Sequence, residues 1–159
     1  MKLYHGSNVE IEQIDFSKSK PYKDFGRGFY LSDNKEQAWN MAHQKVMQTE
    51  SGTETVNIYE FDESHLTDGS LKVKQFDSYC EEWAQFVLHN RNRSEALAGH
   101  TYDVVVGPIA DDKVGVQIRL FNEKYIDIQT LLTRLKFIKG MTIQYFFGTE
   151  RAIQTLKKL

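Results

Sequence analysis

The sequence predicts a single α+β domain, and three observations carry that reading. Runs rich in β-branched and aromatic residues recur along the chain, at residues 55–61 (Thr-Val-Asn-Ile-Tyr-Glu-Phe), at Val104-Val105-Val106 and at residues 142–147. Stretches with helical apolar spacing lie between them, with Ala38, Met41 and Ala42 early and Ile128, Leu131, Leu132 and Leu135 late. Pro21 and Pro108 are the only prolines, so no Pro-rich linker divides the chain and one core is expected over residues 1–159.

Each element follows in order. Residues 2–5 read as a short first strand that ends at Gly6-Ser7. Residues 8–27 are polar and predict a long irregular loop, which in a compact domain is usually functional. Gly-Phe-Tyr-Leu-Ser at 28–32 is a second strand, and Asp33 or Asn34 is placed to cap the helix after it. That helix carries Ala38, Met41, Ala42 and Val46 at helical spacing, with Trp39 beside them. Residues 55–61 form a strand, and 71–76 are a candidate for another. Ser78 and Glu81 have capping-box spacing ahead of a helix with Trp83, Phe86 and Val87 on one face. Residues 102–107 predict a buried strand stopped by Gly107-Pro108. Residues 114–121 fit a helix and a strand equally. A helix over 126–137, a last strand over 142–147 and a short helix from the Thr149 cap through Leu156 complete the chain.

The formal net charge of −2 argues against a domain that lives by gripping phosphate backbones. Arg91, Arg93, Lys157 and Lys158 are the candidates for a local basic patch, with solvated surface as the simpler account. Cys80 is the only cysteine, which excludes a disulfide framework and fits a reducing compartment; in its helical context it reads as a packed thiol. The N-terminal residues lack the apolar run of a signal peptide, and no stretch approaches the roughly 18 apolar residues of a membrane span. A soluble, cytoplasmic protein with no membrane partner is expected, although a toxin exported by a dedicated machine would look the same. His43, His65, His89 and His100 show no metal-ligand spacing, so no metal is expected. Neither a dinucleotide-type GxGxxG nor a GxxxxGK[ST] loop occurs.

Two constellations stand out. In Tyr4-His5-Gly6-Ser7, a His at a strand end can enter a cleft while the Gly admits a ligand to the backbone. In the segment running from Asp24-Phe25-Gly26-Arg27-Gly28 into Phe29-Tyr30-Leu31-Ser32, strand alternation puts Tyr30 on one face with Gly28 and Ser32, a slot where a planar ring stacks. Each alone is equally a turn or a core strand.

Together they resemble the ADP-ribosyltransferase superfamily, in its diphtheria-toxin and poly(ADP-ribose)-polymerase-like branch of the His-Tyr-Glu type. The resemblance is closest to a bacterial family of short domains of that branch. It extends to the stretch Asp103 to Asp112, which ends in Gly-Pro-Ile-Ala-Asp-Asp, and so spans nearly the whole chain. It implies two facing β-sheets, a split pair that forms an NAD+ cleft with helices around it. It implies NAD+ as co-substrate, with His5 orienting the dinucleotide, the Gly6 backbone holding the carboxamide and Tyr30 stacking on the nicotinamide. Phe25, Gly26, Arg27 and Gly28 would lie along the dinucleotide, Arg27 against its pyrophosphate. A serine that polymerase-like members carry about eight residues past the Tyr is Ala38 here, so Ser7 or Ser32 would supply that contact.

The family's catalytic Glu begins its last core strand, and the matching residue here is Gln144. A Glu stabilises the charge that builds on ribose as nicotinamide leaves and helps deprotonate an acceptor. A Gln orients ribose but carries no charge, a loss worth roughly 3 kcal/mol in a dry site. Glu150 is the nearest acid, equally explained by a helix N-terminus, and Asp111-Asp112 is a second candidate base or a plain turn. The resemblance therefore implies mono-ADP-ribosyl transfer to an acceptor that is a protein, a nucleic acid or a small molecule. The alternatives are a non-enzymatic NAD+ or ADP-ribose-binding module, an NAD+ glycohydrolase, and an interaction domain with a degenerate cleft.

Overall fold

The computed structural model describes residues 1–92 and 99–159. Among the described residues there are seven strands and five α-helices. The elements run β1 (Lys2–Ser7), β2 (Phe29–Ser32), α1 (Lys35–Thr49), β3 (Thr55–Phe61), β4 (Val73–Gln75), α2 (Glu81–Arg91) and β5 (Val104–Pro108). Then come α3 (Asp112–Asn122), α4 (Ile128–Lys136), β6 (Ile143–Phe147), α5 (Glu150–Ile153) and β7 (Leu156–Lys158). The strands join in the order β4-β5-β6-β2-β1-β3-β7, antiparallel throughout except for β4 and β5, which run parallel.

Strand alternation divides the core in two. Leu3, Phe29, Leu31, Tyr59, Phe61, Val104, Val106, Tyr145 and Phe147 pack on one side with Ala152 of α5 and the partly buried Ile11, Ile14 and Phe16 of the long loop. Val105 and Phe146 face the other side, where they meet Phe25, Trp83 and Val87, Val114 and Ile118, and Leu131 and Leu135 of helices α2, α3 and α4. Burial at Val114 and Ile118, one helical turn apart, and the Asp111 cap on the Val114 N–H settle residues 114–121 as helix.

Several expectations are corrected by particular contacts. The strands form one ladder where two facing sheets were expected, because β2 bonds β6 along one edge and still holds β1 at Tyr4↔Ser32. Cys80, not Ser78, caps α2, its Sγ accepting the Trp83 N–H at 3.4 Å. β5 continues through Pro108, tolerated as the strand's last residue opposite Ile143. The C-terminal helix stops at Ile153, because Leu156–Lys158 turns back to cover the free edge of β3. Met41 is exposed, and α1 buries only Ala38 and Ala42. Among the described residues, no helix is long and apolar enough to cross a membrane.

Candidate functional site

Strand β1 sets the geometry. Met1 and Phe61 exchange both backbone hydrogen bonds, at 2.7 and 2.9 Å. In an antiparallel pair, bonded and non-bonded partners alternate. Leu3, His5 and Ser7 therefore bond β3, while Lys2, Tyr4 and Gly6 point their N–H and C=O away from it, toward β2. The Ile58 carbonyl opposite Tyr4 agrees, since it turns outward to accept the Leu159 N–H at 3.0 Å. On the β2 side the ladder holds only Tyr4↔Ser32. The backbone groups of Gly6 thus face a stretch of seam that the ladder leaves open.

Gly6 is also a packing residue. A Cβ there would lie 1.9 Å from the Ala38 carbonyl oxygen and 2.7 Å from the Ala42 nitrogen, so α1 approaches β1 backbone to backbone. The sequence-based assignment of Gly6 to a ligand shares the residue with this second demand, which also explains why positions 38 and 42 are alanines. Ser7 and Ser32 are both buried, and the Ser32 hydroxyl accepts the Asn34 N–H at 3.1 Å.

His5 and Tyr30 border the open stretch from its two strands. The His5 ring stacks on Phe29 with centroids 4.4 Å apart, and Nδ1 donates to the Tyr30 carbonyl at 2.7 Å. Desolvation lowers the His5 pKa to about 4, against the pull of that hydrogen bond, so the ring is neutral at pH 7 with the Nε2 lone pair unprotonated. The Tyr30 ring packs with the second core, 5.2 Å from Phe146 and 6.5 Å from Phe25. Its hydroxyl donates to the Gly26 carbonyl at 2.6 Å and accepts the Phe25 N–H at 3.1 Å, and burial pushes that hydroxyl well above the usual phenol range. The Lys23 ammonium lies 4.3 Å from the centroid of the Tyr30 ring.

The segment from Asp24 to Gly28 is explained largely by packing. Phe25 is fully buried among Tyr30, Phe76, Phe86 and Phe146, so its ring belongs to the core. Gly26 has φ of 88°, a region that favours glycine. A Cβ on Gly28 would sit 2.2 Å from the Phe146 ring. Arg27 is partly free of this packing as an exposed residue.

Gln144 is buried in the middle of the sheet, paired with Ser32 on one side and Gly107 on the other. Its Nε2 donates to Asp24 Oδ2 at 3.2 Å and to the Pro108 carbonyl at 3.4 Å. Asp24 also takes the Ala110 N–H at 3.1 Å, Arg91 Nε at 2.8 Å and Arg91 Nη2. Glu150 is not brought to Gln144: it is exposed on the first turn of α5, beyond the opposite end of β6. Asp111 is the α3 cap and Asp112 its first residue; with Arg91 and Arg119 they line an open depression of ≈ 510 Å³. A larger depression of ≈ 740 Å³, lined by Phe121, Tyr125 and Ile128, lies at the α3–α4 corner away from His5 and Tyr30.

Sequence reasoning missed four residues here. Asp24 opens a motif that was noticed, but its partner Arg91 is 67 positions away and no local pattern links them. Lys23 was read only as loop. His100, considered only as a metal ligand, holds the Phe25 carbonyl through Nε2 at 2.7 Å while Nδ1 accepts the Tyr102 N–H at 3.0 Å. The residues considered for a local basic patch are paired with acids, Arg91 with Asp24, Lys157 with Glu60 and Lys158 with Glu10, while Arg93 lies outside the described residues.

A family model described as "Protein of unknown function (DUF3990)" matches residues 1–158, and the chain belongs to that family. No curated protein matches it.

Proposed function

We propose that this member of the family binds NAD+ across the open stretch of the β1–β2 seam and transfers its ADP-ribosyl group to an acceptor. One observation carries the reading: the N–H and C=O of Gly6 face that stretch, bordered by His5 and Tyr30. A primary carboxamide presents a donor and an acceptor side by side, so it pairs with one residue's N–H and C=O as a neighbouring strand does. The Tyr30 face attracts a cation, the Lys23 ammonium, and takes the positively charged nicotinamide ring of NAD+ in its place once Lys23 swings aside. Neutral His5 offers Nε2 as an acceptor for a ribose hydroxyl.

In the reaction, the bond between ribose C1′ and the nicotinamide nitrogen breaks. Its electron pair leaves with nicotinamide, which becomes neutral. The acceptor's nucleophile bonds C1′ and gives up its proton. Because Gln144 carries no charge, single transfer is favoured over chain growth, and water as acceptor gives ADP-ribose. The same missing charge favours the second reading, a binding module that holds NAD+ without turning it over.

Nicotinamide release from NAD+ by the purified chain, beside thermal unfolding with and without NAD+, tests both. Binding at 100 times its dissociation constant raises stability by about 2.7 kcal/mol. Release supports transfer or hydrolysis, and a labelled acceptor separates the two. A shift without release supports the binding module. Neither shift nor release overturns the NAD+ reading and leaves the interaction domain.

A further inference from the structure

The Gln144 amide has one orientation open to it. The two groups facing Nε2, the Asp24 carboxylate oxygen at 3.2 Å and the Pro108 carbonyl at 3.4 Å, accept hydrogen bonds and donate none. Turning the amide over would set its oxygen against both, so Nε2 points inward and Oε1 outward. Asp24 is itself braced. Arg91 grips Oδ1 through Nε and Nη2, and the Ala110 N–H binds Oδ2 at 3.1 Å. Among the described residues no donor reaches Oε1 of Gln144, and that atom is not one of the buried polar atoms left without a partner.

We propose that Asp24, braced by Arg91, is a positioning residue that locks the Gln144 amide with its oxygen outward, so that the site presents an uncharged acceptor to a sugar hydroxyl of its ligand. The ligand's identity rests on the NAD+ reading, which makes the hydroxyl one of ribose; the device itself does not. Gln144 lies level with Ser32 and Tyr4, two strands from β1 or about 10 Å, within the span of a nucleotide bound along the seam.

The arrangement reverses a simple expectation. Gln144→Glu does not restore a catalytic charge, because the new carboxylate meets Asp24 Oδ2 and the Pro108 carbonyl where a donor stood. Two carboxylates so placed share a proton. The double variant Asp24→Asn with Gln144→Glu returns one donor and one charge to the pair, with the charge moved to position 144.

The test reads the Gln144 side-chain amide by NMR, assigned by its loss in Gln144→Glu, together with nicotinamide release. Expected in the parent protein are two well-separated, slowly exchanging Nε2 protons, which NAD+ shifts. Asp24→Asn brings them together, speeds their exchange and lowers kcat by about tenfold, with KM changed by less than about threefold. The double variant outperforms both single variants. Gln144→Glu loses stability relative to the parent as pH rises above about 4.3, since its raised folded pKa holds a proton that the unfolded chain releases. Arg91→Lys, which keeps the charge and loses the fork, replaces Asp24→Asn if that variant does not fold. A Gln144 amide indifferent to Asp24→Asn and Arg91→Lys, or a double variant no better than the sum of its parts, overturns the proposal. An amide that responds to those substitutions but not to NAD+ supports the device and removes the NAD+ reading alone.

Discussion

Strand β1 is held in opposite ways on its two edges. Toward β3 it is paired at six consecutive positions, from Lys2↔Glu60 to Ser7↔Thr55, and toward β2 at Tyr4↔Ser32 alone. The closed edge is backed by a dense core, in which Leu3, Tyr59 and Phe61 pack together. On the open edge, the Tyr30 carbonyl is taken by the His5 ring. A side chain thus occupies an acceptor that would otherwise be offered to a neighbouring strand. The comparison teaches that a gap inside a sheet persists when side chains satisfy the backbone groups that would otherwise close it.

Substitutions around the gap break or sharpen this contrast by differing amounts. Phe25→Ala empties the centre of the aromatic cluster beneath Tyr30 and should cost about 4 kcal/mol in denaturant unfolding, with the second core loosened far more than the β1–β3 ladder. Gly6→Ala sets a methyl against the Ala38 carbonyl, a backbone atom with little room to yield, and should cost about 3 kcal/mol by displacing α1 from β1. Hydrogen exchange would then show faster opening at α1 than at β6.

His5→Asn keeps a donor for the Tyr30 carbonyl and removes the titrating ring. The parent His5 binds its proton with a pKa of about 4 when folded and about 6.5 when unfolded, so the unfolded chain holds more protons between those values. Stability contributed by neutral His5 is present above pH 6.5 and is lost as pH falls toward 4, a difference on the order of 3 kcal/mol. Unfolding curves of the two proteins from pH 7 to pH 4 should converge or cross accordingly, and parallel curves would show that His5 does not sense the seam. Smallest is Tyr30→Phe, which removes the clamp on Gly26 and Phe25 while leaving the ring, at about 1 to 2 kcal/mol. NAD+-dependent stabilisation that survives this change but not Tyr30→Leu would assign recognition to the ring face.

Much of this was legible beforehand, and the reasons are local. Strand β3 was readable end to end because Val56, Ile58 and Tyr59 are strand formers bounded by Ser-Gly and Asp-Glu. Helix α4 followed from its apolar stripe, and the start of α5 from Thr149. His5 and Tyr30 stood out on the first two strands but were brought together only by the family resemblance, and Gln144 was readable as a residue on the last core strand. Residues 114–121 stayed ambiguous because their apolar positions suit either period until Asp111 is seen to cap them. The short strand β7 has no signal of its own, since Leu-Lys-Lys becomes a strand only where β3 offers an edge.

The sequence alone determined the type of most elements, because propensity and apolar period act within a few residues, and its motifs singled out His5, Gly6, Tyr30 and Gln144 as candidates. Tertiary structure alone decided that the sheet is one ladder with an open seam, that Phe25 faces the core, that Gly6 receives α1, and that Asp24 joins Arg91, Ala110 and Gln144. Asp24 meets those partners across 67, 86 and 120 positions of chain. A carboxylate acquires its function from the donors that surround it, and those donors arrive only when the chain has folded.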